Sequence, residues 1–306
     1  MHSSRVDLEF STKHVSYFKK LIANQYALCS DIKMKYDNQQ LIFYANSTTE
    51  NVFLTMDMSV SFFDMYSCTT PNAIRLNIYH FYKIIKRVTS FRYKSIRLFV
   101  YEKEAQTHCH WIHITFQTDN RTDTYHTRGY STNEDRSMCF PSYASPPSNT
   151  LQMSINGRTF SHALHQFDND MFKTLQFSLQ LNPTNKCELY VKPSHVHHLL
   201  LKGRTDVISG KVIIKTKMKM QLYDDILKKL NRQQYSLLFL RKSLHFFKLS
   251  KQSTFTLTFY PEYKVLILLY KLPYHVNVEI VLPDIPCEGW YDNVFSSDAD
   301  SDDCGM

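Results

Sequence analysis

The feature that most constrains this chain is a set of four amphipathic segments, each with a basic stripe, that recur in two similar halves. The segments are STKHVSYFKKLIANQYAL (11–28), NIYHFYKIIKRVTS (77–90), NGRTFSHALHQF (156–167) and SLLFLRKSLHFFKLSKQ (236–252). Apolar residues recur in them at helical spacing, whereas nearly everything between them alternates as strands do. The sequence therefore predicts two helices in each half of a mainly β chain.

The polar sides of these predicted helices are basic. One side of each helix is apolar and is expected to pack on the core, and the opposite side carries Lys, Arg and His. A single basic stripe is usually a solvated helix surface, but four of them in a mainly β protein favour binding to a phosphate backbone without base reading. The residues predicted to face DNA are Lys13, Lys19, Lys20, Lys83, Lys86, Arg87, Arg158, His162, Arg241, Lys242, His245, Lys248 and Lys251.

The charge is distributed unevenly along the chain. The formal net charge is +8, and the stretch 284–306 holds seven Asp or Glu residues and no Lys or Arg. Removing those seven negative charges leaves +15 on residues 1–283. A body this basic indicates a polyanionic partner, with a soluble basic surface that binds nothing specific as the alternative.

The order of the predicted elements divides the chain into two similar domains. Residues 1–140 form the first domain, PSYASPPSN (141–149) is a linker rich in Pro and Ser, and residues 150–283 repeat the pattern of the first domain. We predict an α+β fold in which each domain packs two helices on antiparallel sheets. Residues 284–306 are predicted to form an acidic, disordered tail.

Chemistry typical of enzymes is missing from the sequence. The seven cysteines form no CxxC pair, so we expect reduced thiols in an intracellular protein. His108 and His110 share one face of an alternating strand while His113 faces the other way, so this cluster cannot close a tetrahedral metal site by itself. Glycine is scarce, at 6 residues, which argues against glycine-rich phosphate loops. We predict a protein that is not an enzyme and uses no metal or cofactor.

The tail has two interpretations. Ser297 is followed by Asp298 and Asp300, and Ser301 by Asp302 and Asp303, a pattern that acid-directed kinases favour. Phosphorylation of Ser297 and Ser301 would create a dense anionic motif. The alternative is that the tail only increases solubility.

Particular stretches of the chain resemble a known family. The stretch LIFYANSTTENVFLTMDMSVSFFDMYS (41–67) resembles the Rad-nine-type subunit of the heterotrimeric checkpoint clamp, the nine-one-one complex. TDTYHTRGYSTNEDRSMCFP (122–141) and the run 237–270 are similar to other parts of that subunit. The whole layout is similar to the sliding-clamp fold of proliferating-cell nuclear antigen. The residues that match most specifically are Asn46, Ser47, Thr48, Phe62, Phe63 and Tyr66.

The resemblance implies a nuclear protein of damage signalling. It would form a heterotrimeric ring around double-stranded DNA with two other clamp subunits, opened by a replication-factor-C-type loader, with a BRCT-domain mediator bound to the tail. TLQFSLQL (174–181) and TDTYHTRGY (122–130) are the predicted edges for subunit contacts. The alternatives are a homotrimeric replicative clamp or viral polymerase processivity factor, and a nuclease or metal hydrolase that uses the histidines.

Overall fold

The structure is a computed structural model, and it describes residues 5–47, 52–87, 93–101, 109–131, 150–167, 172–181, 187–196, 212–218, 230 and 233–285. Within these residues there are 17 strands and four α-helices with described bounds. None of the described helices is long and apolar enough to cross a membrane. The predicted linker at 141–149 and nearly all of the predicted tail lie outside the described residues.

The first half contains nine strands and two helices. Its two helices follow the first and sixth strands. The elements in chain order are β1 (Val6–Thr12), α1 (Val15–Leu28), β2 (Asp31–Tyr36), β3 (Gln40–Ser47), β4 (Val52–Ser59), β5 (Met65–Cys68), β6 (Asn72–Leu76), α2 (Ile78–Lys86), β7 (Ser95–Tyr101), β8 (Cys109–Gln117) and β9 (Thr122–Ser131).

The second half repeats this order with one strand fewer. Its helices again follow a first strand and a short strand. The elements are β10 (Leu151–Asn156), α3 (Gly157–His165), β11 (Phe172–Leu181), β12 (Cys187–Val196), β13 (Val212–Met218), β14 (Gln234–Ser236), α4 (Leu237–Phe247), β15 (Thr254–Tyr260), β16 (Val265–Leu272) and β17 (Val276–Pro283).

All strand pairings are antiparallel and join into one sheet. Following the pairings, the strands lie in the order β5-β1-β7-β8-β9-β6-β2-β3-β4-β17-β16-β15-β10-β13-β12-β11-β14. The two halves meet where β4 pairs with β17, over Phe53–Met58 and Val276–Val281. The α+β class and the pairing of two similar halves, each with two helices, agree with the sequence prediction.

The helices and strands form because alternating and helical apolar patterns bury the same core. On β8, Ile112, Ile114 and Phe116 are buried, as the alternation predicted. One continuous hydrophobic cluster includes residues of both halves, from Leu8 to Leu282. The two halves therefore share a core as well as a sheet.

Several predicted boundaries are wrong for local reasons. The first helix begins at Val15 and not at 11, because Ser11 and Thr12 continue β1 and pair with β7. The patterns of KCELYVK (186–192) and HVHHLLLK (195–202) predict two separate strands, but the first continues as a single strand, β12, which runs through Lys192 to Val196. The short strand β14 was not predicted, since three residues are too few to show a period.

The aromatic residues that carried the family resemblance have a packing role. Phe62 and Phe63 are buried, and the Phe63 ring lies 4.7 Å from that of Phe10. The Tyr66 hydroxyl donates to the backbone carbonyl oxygens of Asp37 and Gln40, at 2.8 and 2.9 Å. These contacts fix the turn between β2 and β3. Thr48, another residue of the resemblance, lies outside the described residues.

Candidate nucleic-acid interface

The four helices form one layer on the core side of the sheet. Helix α1 contacts both α2 and α4, and α4 contacts α3, so the layer runs α2-α1-α4-α3 across both halves. The apolar side of each helix is buried. None of these four helices contains an Asp or Glu. The outward side of the layer is therefore populated by cations and neutral residues alone, which gives it a positive potential.

Helices α1 and α2 present the cations of the first half. On α2, Ile78, Phe81 and Ile85 are buried, and the side chains of Lys83 and Lys86 are exposed on the opposite side. Asn77 begins this helix, because its side-chain oxygen accepts from the His80 backbone N–H at 3.0 Å. The remaining predicted residues of these helices are also on the surface: Lys20 and Arg87 are exposed, and Lys19 is partly exposed.

Helix α3 presents Arg158 and His162 one turn apart on its exposed side. Its start is fixed by Asn156, whose side-chain oxygen accepts from the backbone N–H groups of Arg158 and Thr159 at 3.1 and 3.0 Å. Gly157 packs directly against Phe247 of α4, since a Cβ there would lie 2.2 Å from that ring. This close approach sets α3 beside α4, so the cations of both helices lie in one layer.

Arg241 was predicted to face DNA, and the structure corrects that prediction. Its guanidinium donates to the backbone carbonyl oxygen of Leu164 at 3.1 and 2.7 Å, and also to that of Phe167. These carbonyl groups lie at the end of α3, where backbone acceptors lack helical partners. Arg241 therefore caps the preceding helix, and we do not retain it among the DNA-facing residues.

The other residues predicted to face DNA from α4 and the segment after it differ in their exposure and charge. Lys242 is partly exposed, with its Nζ 5.3 Å from the centroid of the Phe239 ring. Burial lowers the pKa of His245, and the nearby charges of Lys248 and Lys242 lower it further. These effects favour the neutral imidazole of His245, which can donate a hydrogen bond without adding charge. Lys248 and Lys251 lie just beyond the helix, and both are exposed.

Lys13 lies before α1 and is partly neutralised by an acid. Its Nζ is 3.6 Å from Asp64 Oδ1, and its backbone N–H donates to Asp64 Oδ2 at 2.6 Å. The Lys13 side chain is 76% exposed, so this ion pair is open to solvent and weak. Lys13 therefore remains accessible to a phosphate, although a carboxylate lies beside it.

The tyrosines of this layer were not predicted from the sequence. Tyr26 of α1 stacks on Tyr82 of α2, with ring centroids 4.3 Å apart and planes at 16°. Tyr79 is 45% exposed, and the Lys83 Nζ lies 4.1 Å from its ring centroid. The i, i+4 spacing of Tyr79 and Lys83 was visible in the sequence and could have indicated this contact.

A second surface consists of two strand edges. Apart from β5, which has no counterpart among the described residues, the elements of the two halves correspond in order, and in this correspondence β9 matches β17 and β13 matches β4. Whereas β17 pairs with β4, residues 122–128 of β9 pair only with β8, and residues 212–216 of β13 pair only with β12, within the described part of the chain. The predicted edge at 122–130 agrees with this pattern. The predicted edge at 174–181 agrees only in part, because β11 lies between β12 and β14 at Thr174–Gln176, whereas residues 177–181 pair only with β12 within the described part of the chain.

Comparison with known proteins shows the fold of the chain through structural similarity and not through sequence. No protein-family model matches the chain, and no curated protein matches it in sequence. PCNA from Thermococcus kodakaraensis matches in structure with a TM-score of 0.65 at 13% identity, over 91% of this chain and 100% of that chain. The chain has a PCNA-like sliding-clamp fold. The PCNA2–PCNA3 complex from Sulfolobus tokodaii also matches, with a TM-score of 0.62 at 13% identity, over 90% of this chain and 98% of that chain.

A shared fold does not by itself imply a function, so the absence of enzymatic activity stays a prediction. One buried cluster does place Ser, His and Asp in a row. His110 Nε2 lies 2.5 Å from Ser131 Oγ, and its Nδ1 lies 3.6 Å from Asp7 Oδ2. Asp7 and His110 are 2% and 5% exposed and Ser131 is partly exposed, so this row joins β1, β8 and β9 largely inside the first half of the chain.

The histidines of β8 are also placed on opposite faces, as the alternation indicated. His113 is partly exposed and lies against His126 of β9, with ring centroids 4.2 Å apart, while His110 points into the core. No group of three or more metal-ligating side chains occurs among the described residues. His108 lies outside the described residues, so the metal-hydrolase hypothesis has no assembled site to support it.

Proposed function

We propose that this protein is one subunit of a ring-shaped DNA sliding clamp, with the helix layer facing double-stranded DNA. The observation that carries the proposal is that four helices from two halves form one layer with no acidic residue. A ring that slides must hold the duplex through its phosphates, because base-specific contacts would stall it. Exposed Lys and Arg on rigid helices meet this requirement.

The two strand edges support assembly into a ring. If the pairing of β17 with β4 is repeated between chains, β9 of one subunit pairs with the counterpart of β13 in the next, and the sheet continues around the ring. In sequence, β13 carries Lys215 and Lys217 and no acid, and the one acid of β9, Asp123, is bonded to Arg121. Because β9 also carries Arg128, its formal charge in sequence is zero, so the charge of the edges does not by itself favour partners of different sequence over a homotrimer.

The finer proposal is a heterotrimeric checkpoint clamp. It is supported by the resemblance of residues 41–67 and by the acidic 284–306 segment with Ser297 and Ser301. The partners would be two other clamp subunits, a replication-factor-C-type loader and a BRCT-domain mediator, in the nucleus. The alternative, a homotrimeric replicative clamp or viral processivity factor, shares the fold and the helix layer. The native mass of the purified chain separates the two, since a monomer supports the heterotrimer and a stable trimer supports the alternative.

The DNA-facing role is tested with a charge-matched pair of triple variants. Lys83, Lys86 and Arg87 are changed to Ala on the helix layer, and Lys35, Arg75 and Arg97 are changed to Ala on the opposite face of the sheet. The first variant should lose affinity for duplex DNA of any sequence, and its salt slope should fall by about one for each phosphate that is no longer neutralised. The control should bind as the parent does.

Topological binding is tested with partners and loader present. Co-purified assemblies should be retained on closed circular duplex and released when the circle is cut, because a sliding ring runs off free ends. Equal loss of affinity in both triple variants, or equal retention on circular and cut DNA, would show that the helix layer does not line a DNA-filled pore.

A further inference from the structure

An exposed aromatic ring stands on the outward side of the helix layer. Tyr79 of α2 is 45% exposed and is not among the residues packed on the hydrophobic core. The Lys83 Nζ lies over this ring at 4.1 Å from its centroid, and no carboxylate among the described residues forms an ion pair with Lys83. The ring and the ammonium group are therefore both presented to solvent at one place.

The neighbouring side chains extend this arrangement across two helices. Tyr26 and Tyr82 stack at 4.3 Å, the Tyr26 and Tyr79 centroids are 6.5 Å apart, and the Lys86 Nζ lies 6.0 Å from the Tyr82 centroid. Three neighbouring rings thus lie in a row over the α1–α2 surface, with one ammonium group at each end of the row. Tyr26 and Tyr82 are partly buried and also hold the two helices together.

Tyr79 is needed neither for the stability of helix α2 nor for binding to the phosphate backbone of DNA. Tyr is a poorer helix former than Lys or Glu, and its ring leaves apolar area in water. Contacts with the phosphates of a duplex need only cations, since the bases are stacked inside. Aromatic rings interleaved with cations are instead the arrangement that binds single strands, where bases stack on rings and phosphates meet Lys or Arg.

We propose that the α1–α2 surface binds single-stranded DNA, with an unpaired base stacked on Tyr79 and the flanking phosphates held by Lys83 and Lys86. The base takes the place of the Lys83 ammonium group over the ring, and the released ammonium group pairs with the adjacent phosphate. This inference rests on the proposed function, because it assumes that the helix layer faces DNA. It adds that the clamp distinguishes DNA with unpaired bases from continuous duplex.

The test compares three labelled DNA probes of about 20 nucleotides, long enough for one binding site. The first is single-stranded oligo-dT and the second is a duplex. The third is a single strand in which the central nucleotides are abasic, so that their bases are missing but their phosphates remain. Fluorescence anisotropy of the full chain gives the affinity for each. Tyr79→Leu keeps an apolar side chain and removes the ring, and Tyr263→Leu is the matched control, because Tyr263 is 55% exposed in the turn between β15 and β16.

Tyr79→Leu should weaken oligo-dT binding roughly 5- to 150-fold, the range found for loss of one base–aromatic stack, and change duplex binding by less than about 2-fold. The parent protein should prefer oligo-dT to the abasic strand, and Tyr79→Leu should remove that preference. Equal losses for oligo-dT and duplex, or an unchanged affinity for oligo-dT, would overturn the proposal.

The outcomes also separate this inference from the proposed function. If the assembly is retained on circular duplex but Tyr79→Leu does not change the affinity for oligo-dT, the clamp proposal stands and the stacking surface is excluded. If binding of oligo-dT depends on Tyr79 but no assembly is retained on circular duplex, the stacking surface stands and the ring is excluded.

Discussion

Leu244 and Leu238 are the same residue type on one helix, but they have opposite environments. Leu244 is 3% exposed and lies in the shared core, whereas Leu238 is 44% exposed. They are six residues apart on α4, which places them on different sides of the helix. The contribution of each to stability is therefore set by its position around the helix axis.

Leu244→Ala should lower the free energy of unfolding by roughly 2–5 kcal/mol, because it removes buried methyl groups and leaves a cavity. Leu238→Ala on the same helix should change it by less than about 0.5 kcal/mol. Equilibrium urea denaturation of both variants measures this difference. If the two substitutions cost the same, the apolar side of α4 has been assigned to the wrong face.

At the scale of secondary-structure elements, two contacts hold α3 against α4. Arg241 reaches across to the carbonyl oxygens of Leu164 and Phe167, which end α3, and Gly157 lets Phe247 pack closely at the start of α3. The two helices of the second half are thus fixed at both ends. This places the exposed Arg158 and His162 relative to the cations that follow α4.

Arg241→Met should lower the free energy of unfolding by roughly 1–3 kcal/mol, because the stem still packs but the α3 carbonyl groups lose a charged donor. Its effect on duplex affinity should be smaller than that of Lys242→Met, since the Arg241 charge is engaged inside the protein. Urea denaturation and anisotropy on the same samples measure the two effects. A variant of full stability that has lost DNA affinity would restore Arg241 to the DNA-facing set.

The seam between the two halves determines how the whole molecule holds together. It combines the pairing of β4 with β17, the contact of α1 with α4, and the stacking of Tyr274 on His14 at 3.9 Å. Tyr274 and His275 have positive φ angles of 62° and 57°, which a non-glycine residue adopts only when its surroundings hold it there. The seam also contains Glu279, in the middle of β17 opposite Thr55.

Burial raises the pKa of Glu279, so ionising this carboxyl group opposes folding. The unfolded chain ionises Glu279 at a lower pH than the folded chain does. The penalty is therefore complete above the raised folded pKa and disappears as the pH falls below the unfolded value. Glu279→Gln should raise the denaturation midpoint at pH 7, and this gain should shrink steadily towards about pH 4, near the ordinary pKa of a glutamate.

The matched control for this prediction is Glu262→Gln, because Glu262 is exposed in the turn after β15. It removes the same charge from an exposed position, so it shows how far the loss of one negative charge alone changes the midpoint. Thermal unfolding across the pH series gives the comparison. A gain for Glu279→Gln that does not depend on pH would mean that repacking, and not ionisation, is responsible.

Much of the clamp fold was predictable from the sequence, because its strands and helices bury one face each. Alternation on β8 predicted which residues are buried, and the helical period on α2 predicted both its buried side and its exposed Lys83 and Lys86. The weak points were elements too short to show a period, such as β14, and the true start of α1. The matched PCNA has the same fold although only 13% of its residues are identical.

The sequence by itself determined the class of fold, the two similar halves and the basic side of each helix, because periodicity and charge are local properties. Only the tertiary structure decided which cations are available. Arg241 and Lys83 look alike along the chain, but Arg241 is used by the carbonyl groups of α3, 77 residues away at Leu164, and Lys83 rests on an exposed ring. The α1–α2 tyrosine stack, and the edges of β9 and β13 that lack a second partner strand within the described residues, likewise exist only after distant segments meet, since their neighbours are set by packing and not by sequence spacing.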